Sequence, residues 1–159
     1  MATIAVAAAA CSPSLNWREV HVGELTTLLP CKPDRATRPI TLEGETVNLE
    51  MAGCEAAGAL YTVSRIQMED AIRAQAIMIR LRKASLASVQ AGSIHPTANS
   101  GDEHSSFDVQ VNGRDPAGSP VQAHFKWMMQ GQSAYQVAVY APSLQAGQVE
   151  GIVGGIRFQ

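Results

Sequence analysis

Four residues near the middle of the chain carry the side chains that a metal-dependent reaction would need. Asp102, Glu103, His104 and Asp108 lie close together in the sequence. Carboxylate oxygens and imidazole nitrogens are common ligands of divalent cations, so a small metal-dependent hydrolase using residues 102–108 is one hypothesis. The stretch has neither the EF-hand pattern nor two histidines at helical spacing. A solvated loop is therefore the favoured interpretation, and these four residues remain weak metal candidates.

Nucleophilic catalysis has less support in the sequence. Ser105 follows His104, but no G-x-S-x-G pattern places a serine between a strand and a helix. The GIVGGI stretch near the C-terminus lacks the Lys and Ser or Thr of a phosphate-binding loop. His21 and His124 fall in strand-like segments, where exposed or hydrogen-bonded structural histidines are expected. We therefore expect no catalytic residue and no cofactor.

The first cysteine follows an apolar N-terminal segment that ends in small residues. A secretory signal has a positive start, an apolar stretch of about 7–15 residues and small residues before the cleavage site. Residues 1–10 provide the last two features and contain no Lys or Arg, so they are interpreted as a partial signal peptide. The ending Ala9-Ala10-Cys11 resembles the lipobox of bacterial lipoproteins, in which the cysteine is acylated and becomes the first mature residue. Ala8 stands where that family usually has Leu.

Two alternatives to lipidation at Cys11 remain open. Ala8, Ala9 and Ala10 could serve as an ordinary cleavage site, which also implies export. The N-terminus could instead be helical or disordered in the cytosol, with Cys11 as a free thiol.

The other two cysteines, Cys31 and Cys54, provide an independent indication of the compartment. Exported proteins tend to oxidise their thiols in pairs, and without Cys11 exactly one pair is left. A bridge would close a loop of about two dozen residues, which contributes roughly 3 kcal/mol in the chain-entropy model. No C-x-x-C pattern or nearby Cys/His pair favours zinc. We therefore predict a Cys31–Cys54 disulfide.

Composition and charge narrow the possible classes of protein. The 159 residues are 46% hydrophobic and 16% charged, which favours one globular domain. A net charge of -2 with dispersed Lys and Arg argues against a nucleic-acid partner. No apolar run after residue 11 is long enough for a membrane span. The predicted organisation is a signal segment at 1–10, a lipidated cysteine and tether at 11–16, and one domain at 17–159.

Strand patterns dominate the first third of the chain. Residues 17–22 (WREVHV) alternate at the period of a strand, and Leu25–Leu29 is a second apolar run. Segments on both sides of Gly44 predict a hairpin, and GALYTVSR predicts a further strand. The stretch CKPDRATRP, with two prolines and four charges, predicts a loop. A small antiparallel sheet is expected here.

A long amphipathic helix is predicted to follow. Ser64 and Gln67 have the spacing of a capping box, and the helix would run to about Ala91 with Gly92 as its stop. At 100° per residue its apolar face would hold Met68, Ala71, Ala74, Met78, Leu81, Leu86 and Val89.

The opposite face of this helix would carry Glu69 and a basic stripe formed by Arg73, Arg80 and Lys83. Such a stripe could meet anionic lipid headgroups beside a membrane anchor. An ordinary solvated face is the favoured interpretation, with Glu69 and Arg73 spaced to support the helix.

The rest of the chain predicts a loop at residues 92–105 and then a three-stranded meander. FDVQV, VQAHFKWMM and AYQVAVYAP are its strands, and a short helix and a last strand at 156–158 close the chain. The predicted fold class is α+β: an antiparallel β-sheet packed by one long helix and a short C-terminal helix.

This order of elements resembles the PsbP-like superfamily over nearly all of residues 17–159. Leu29-Pro30-Cys31-Lys32-Pro33 is similar to its Phe-Pro-Gly-Lys-Pro motif, with Leu for Phe and Cys for Gly. Gly113 before a turn-rich stretch, the strand from Tyr135 to Tyr140, and the closing Arg157-Phe158 are similar as well. The resemblance implies an α/β/α sandwich. It carries over no catalytic residue, because most known members bind or assemble, among them photosystem II extrinsic proteins, exported lipoproteins and secretion chaperones.

Together these features lead to one main hypothesis. The chain is expected to be an exported, lipid-anchored, non-enzymatic protein of the bacterial cell envelope, in the periplasm or on a membrane. Its partners would be the membrane, through the lipid, and a protein or other envelope component. Besides the hydrolase, a cytosolic chaperone-like member of the same superfamily is the alternative, and it would need no signal.

Overall fold

The computed structural model describes residues 15–97 and 106–159. These residues form an α+β domain that is mainly strand, with 55% in strands and 20% in helices. The strands are β1 (Arg18–Val22), β2 (Leu25–Leu29), β3 (Asp34–Leu42), β4 (Glu45–Ala56), β5 (Ala59–Gln67), β6 (Ser93–Pro96), β7 (Ser106–Arg114), β8 (Pro120–Gln130), β9 (Ser133–Ala141) and β10 (Arg157–Phe158). The helices are α1 (Ala71–Ser88) and α2 (Ala146–Gly154).

The strands form two antiparallel sheets. The large sheet has the order β3-β4-β5-β9-β8-β7-β6, and the small sheet has the order β1-β2-β10. The hairpin at Gly44 is confirmed: Glu43 and Gly44 have φ of 49° and 87°, and Leu42 pairs with Glu45. Positive φ at both central residues is typical of the type I′ turn, whose twist matches that of the flanking strands. The meander β7-β8-β9 and the closing helix and strand are confirmed too.

Each face of the large sheet has its own apolar core. On one face, α1 packs over Ile66, Phe125 and Trp127. On the other, the small sheet and α2 pack over Tyr61 and Tyr135. The side chains alternate between faces along every strand, so the central strand β9 is buried along nearly its whole length.

The predicted start of the long helix is wrong. Ser64 and Gln67 belong to β5, where Ser64 pairs with Gln136 of β9. The helix starts later, with Asp70 as its N-cap: the Asp70 carboxylate accepts a hydrogen bond from the Arg73 backbone N–H at 2.8 Å. A capping-box pattern acts over a few residues, and here the pairing of β5 with two neighbouring strands prevails over it.

The buried face of α1 is partly the one predicted. Ala74, Met78 and Leu81 are buried as expected, whereas Ala71 is exposed. Ser85 is also buried, and its hydroxyl donates a hydrogen bond to Gln136 Oε1 at 2.6 Å. A polar residue therefore lies on the packed side of the helix because the sheet offers it a partner.

Two segments predicted as loops contain strands. Most of CKPDRATRP lies in β3, an edge strand of the large sheet, where Pro39 is tolerated because one side of the strand needs no ladder hydrogen bond. Within the predicted loop 92–105, residues Ser93–Pro96 form β6 at the opposite edge. Residues 98–105 lie outside the described residues.

Gly113 lies where the end of α1 meets β7. The Arg114 N–H donates to the Val89 carbonyl at 2.7 Å, and the Gly92 N–H donates to the Asn112 carbonyl at 2.9 Å. A Cβ atom on Gly113 would come within 2.0 Å of the Val89 carbonyl oxygen. This position therefore has no room for a side chain.

Gly113→Ala should destabilise the protein by about 1–3 kcal/mol, because the backbone must move to accept the methyl group. Gly147→Ala is the matched control: no heavy atom lies within 4 Å of its Cβ position in α2, and stability should be unchanged or slightly higher. Urea denaturation of the three proteins measures both effects. Equal stability of Gly113→Ala and wild type would contradict the close approach.

Candidate binding site

An open groove lies between the edge half of the large sheet and α2. Its floor comes from β7, β8 and the residue after β6, and its wall comes from α2 and the residues before it. Its volume is about 780 Å³, within the range of small-molecule sites. We call it the α2 groove; the floor residues are Thr97, Asp108, Gln110, His124 and Lys126, and the apolar wall residues are Leu144, Ala146, Val149 and Val153.

The register of the strands brings the floor residues together. Asp108 pairs directly with Lys126, and Gln110 pairs with His124. Directly opposite residues of an antiparallel pair share one face of the sheet, as do residues two apart on one strand. The Thr97 N–H donates to the Asp108 carbonyl at 3.0 Å and continues the β6–β7 ladder. One patch of the sheet thus collects five polar side chains.

Asp108 is at the centre of this patch and is completely buried. Its Oδ1 accepts a hydrogen bond from the Thr97 hydroxyl at 2.8 Å, and its Oδ2 lies 3.4 Å from Lys126 Nζ. His124 Nε2 lies 2.6 Å from Oδ1. Burying a carboxylate is costly unless charges and donors surround it, and this cluster provides both.

The His124 ring is close to Asp108 without a well-directed hydrogen bond. His124 is 6% exposed, and its Nε2 has no hydrogen-bond partner among the described residues, despite the 2.6 Å separation. The contact is close but poorly directed, and a hydrogen bond requires direction as well as distance.

The neighbours of Asp108 decide its protonation. Burial by itself raises the pKa of the carboxyl group, but the contact with His124, the hydrogen bond from Thr97 and the Lys126 charge outweigh this effect. The pKa of Asp108 therefore lies below its ordinary value, and Asp108 is an anion at neutral pH.

The wall of the groove is held in place by polar side chains of α2 and its neighbours. Gln145 and Gln148 form a capping box at the start of the helix. Buried Gln148 also donates to the Ala57 carbonyl at 3.2 Å, and the Thr27 hydroxyl donates to the Ile152 carbonyl at 2.5 Å. The Leu144 N–H donates to Gln122 Oε1 of β8 at 2.8 Å. These bonds fix the distance between helix and sheet.

Two other hollows have similar volumes, about 810 and 760 Å³. One lies beside the turns at Gly58 and Ser119. The other lies on the α1 face, where its charged residues Asp34, Arg35, Arg38 and Glu55 are all exposed. Charged groups that water already solvates give little indication of a ligand. The α2 groove, with its buried charges, is the strongest candidate of the three.

The structure brings together some of the predicted site residues. The Cys31–Cys54 disulfide is confirmed, and it joins the segment after β2 to β4, with a Cα–Cα distance of 6.0 Å. Of the weak metal candidates, Asp108 lies in the α2 groove, while residues 102–104 lie outside the described residues, as does Cys11. Within the described residues, no group of three His, Cys, Asp or Glu side chains could hold a metal ion.

The basic stripe on α1 is engaged with the β3–β4 hairpin. Arg73 and Arg80 contact Glu45 at 2.7 and 2.6 Å, and Lys83 contacts Glu43 at 2.6 Å. The hydrogen bond from Lys83 lowers the pKa of Glu43, and the one from Arg73 lowers that of Glu45. The carboxylates of Glu43 and Glu45 thus already neutralise part of the positive charge of the stripe. A membrane-facing role for the stripe stays a prediction.

The sequence alone did not single out Gln110, His124 and Lys126 as neighbours of Asp108. Their only signal was the polar side of an alternating strand, which is equally typical of a solvated surface.

Searches of this sequence against protein-family models and against curated proteins found no match. Among residues 15–97 and 106–159, no helix is long and apolar enough to cross a membrane.

The ionised Asp108 stabilises the folded state at any pH above its unfolded pKa of about 3.9, and this contribution is lost as the pH falls through the lower folded-state pKa. Asp108→Asn should be about 1–3 kcal/mol less stable than wild type at pH 7. It should also lose less stability than wild type on acidification from about pH 5. Urea unfolding of both proteins across this range measures the difference, and parallel losses would contradict the assignment.

Proposed function

We propose that this chain is an exported domain of the bacterial cell envelope, anchored by a lipid on Cys11, and that it acts by binding a ligand in the α2 groove. The observation that carries the binding role is the cluster on the groove floor, in which Asp108 and His124 are buried and the Lys126 side chain is only 14% exposed. Buried charged groups in a cleft cost stability and are more frequent at functional sites than elsewhere.

Export is supported by the Cys31–Cys54 disulfide. Disulfides persist in oxidising compartments such as the periplasm and are rare in the cytosol. The proposed tether at residues 11–16 would end beside Trp17, which packs edge-to-face on Tyr61 at 6.0 Å between ring centroids. A bacterial lipoprotein carries several acyl chains, and more than one chain is needed for firm attachment.

Membership of the PsbP-like superfamily is part of this proposal. It is supported by the layer order, in which α1 covers one face of an antiparallel sheet and α2 lies on the other. The close approach at Gly113 gives a physical reason for glycine at a position where the resemblance places one. Fold alone does not decide function, so the binding role depends on the groove.

A small metal-dependent hydrolase using residues 102–108 is the second candidate function. The contact between Asp108 and His124 favours it, because a carboxylate next to an imidazole can hold a cation or orient a base. Metal affinity that survives replacement of both Asp102 and His104 by Ala would remove its support.

The exported state predicts two chemical modifications in cells. In a bacterium that expresses the full gene, mass spectrometry of the membrane fraction should find acylated Cys11 at the N-terminus. Thiol labelling after acid quench should find Cys31 and Cys54 oxidised. A soluble protein with unmodified Cys11 and two free thiols would instead favour the cytosolic chaperone-like alternative.

Binding in the groove should be blocked by a large side chain on its wall. A panel of aliphatic anions, aliphatic cations, alkyl glycosides and short peptides should contain a compound that shifts the amide NMR signals of β7, β8 and α2. Val149→Trp should abolish these shifts, because Val149 lines the groove.

Ile79→Trp is the control for the blocked groove: it adds the same ring to the outer surface of α1, where Ile79 is 50% exposed, and should keep the shifts. Shifts that persist in Val149→Trp would place the binding site elsewhere.

A further inference from the structure

We infer that the α2 groove binds an anionic headgroup carried on an aliphatic chain, and that Lys126 is the residue that pairs with the headgroup. This inference rests on the proposed function, because it assigns a ligand class to the groove. The ligand could be a free fatty acid or an anionic phospholipid, since both combine a negative headgroup with an aliphatic chain.

The charged hydrogen-bond acceptor on the groove floor, Asp108, is already occupied. Asp108 accepts from Thr97, faces Lys126 and is in contact with His124. A ligand that offers only donors, such as an amine, would have to displace these partners. It would also meet the Lys126 ammonium group next to the buried Asp108 carboxylate, and like charges repel.

The Lys126 donor on the floor, in contrast, has capacity left. The Lys126 ammonium group has three N–H bonds, and its one contact with a described carboxylate is long, at 3.4 Å. Its side chain is only 14% exposed, so water can satisfy it only in part. His124 Nε2 already lies 2.6 Å from Asp108 Oδ1, so Lys126 is the donor available to a ligand. The floor therefore favours a ligand group with acceptor oxygens.

The wall of the groove favours an aliphatic body behind such a headgroup. Leu144, Val149 and Val153 line it and are each only partly buried. An aliphatic chain laid along α2 would remove this apolar surface from water, which stabilises a complex. None of the described lining residues is Phe, Tyr or Trp.

Two acidic side chains, Asp108 and Glu150, limit where the headgroup can lie. Asp108 is an anion, but its oxygens already face Thr97, His124 and Lys126. Glu150 also lines the groove, but it is exposed to solvent at the rim. Its charge opposes an anion near the rim and is screened there by water. The headgroup is therefore expected on the floor, with the chain directed along the wall.

The test compares ligands that share a chain and differ in headgroup. Isothermal titration calorimetry of the full chain should detect decanoate binding below its micellar concentration. Lys126→Met should weaken this binding roughly tenfold or more, because a charge-assisted hydrogen bond is lost. Lys126→Arg should keep most of it, since the cation remains.

Lys83→Met is the matched control, because it removes an exposed Lys on α1, on the opposite face of the sheet. It should bind decanoate like wild type. Thermal unfolding of each variant separates a lost contact from a lost fold, and Val149→Trp blocks the groove without changing any charge. Short-chain phosphatidylglycerol distinguishes the two sources: Lys126-dependent binding of this compound identifies a phospholipid headgroup, and binding of decanoate alone identifies a free fatty acid.

Two results would overturn the headgroup assignment while leaving a ligand site in the groove. The first is equal decanoate affinity of wild type and Lys126→Met. The second is binding of decylammonium or decyl glucoside, blocked by Val149→Trp, at least as tight as that of decanoate. If Val149→Trp has no effect on the binding of any of these compounds, or if none binds, both this inference and the proposed binding function of the groove fail.

Discussion

The large sheet has two apolar faces, and both must be covered. Its central strand β9 is buried along nearly its whole length, and bulky side chains such as Tyr135 and Trp127 point to opposite faces. Burial of this apolar surface is the dominant favourable term in folding. One face is covered by α1. The other is covered by two smaller elements, the three-stranded sheet and α2, whose main contacts on the large sheet are with β4, β5 and β9.

The α2 groove forms because the small sheet and α2 are smaller than the sheet face that they pack on. The small sheet and α2 lie over the apolar middle of the large sheet, while β7 and the edge strand β6 extend beyond it. In this region the same face changes from apolar to polar, with Asp108, Gln110 and His124 in place of Val137 and Val139. A sheet face that is only partly covered by a helix leaves a cleft at the boundary, and here the cleft has a charged floor and an apolar wall.

The disulfide and the hydrogen bonds of α2 hold the small sheet and α2 in position on the large sheet. The Cys31–Cys54 disulfide joins the segment just after β2 covalently to β4, and the Thr27 hydroxyl of β2 donates to the Ile152 carbonyl of α2. A disulfide is most useful where an element has little surface of its own to bury. The width of the groove thus depends on bonds far from its floor.

Much of the chain was predictable because its signals are local. The hairpin at Gly44 needs positive φ at its turn, and clear turn residues separate the strands of the meander. With Cys11 assigned to the N-terminal segment, Cys31 and Cys54 could form only one disulfide. The errors came where local and long-range preferences compete. Ser64 has a capping-box pattern, yet β5 lies between two strands that satisfy its backbone groups. The prolines and charges of β3 were taken as a loop, although an edge strand tolerates them.

The sequence by itself determined the α+β class, most strand positions and the disulfide, because periodicity, turn chemistry and cysteine number act within short stretches of chain. Only the tertiary structure decided which polar residues became buried. Asp108 and Lys126 are far apart in the sequence and share a patch because of the register of β7 and β8. His124 looked like a surface residue of an alternating strand, and α2 buries its side of the sheet. Strand alternation assigns a side chain to a face, and the covering of that face depends on packing between distant elements.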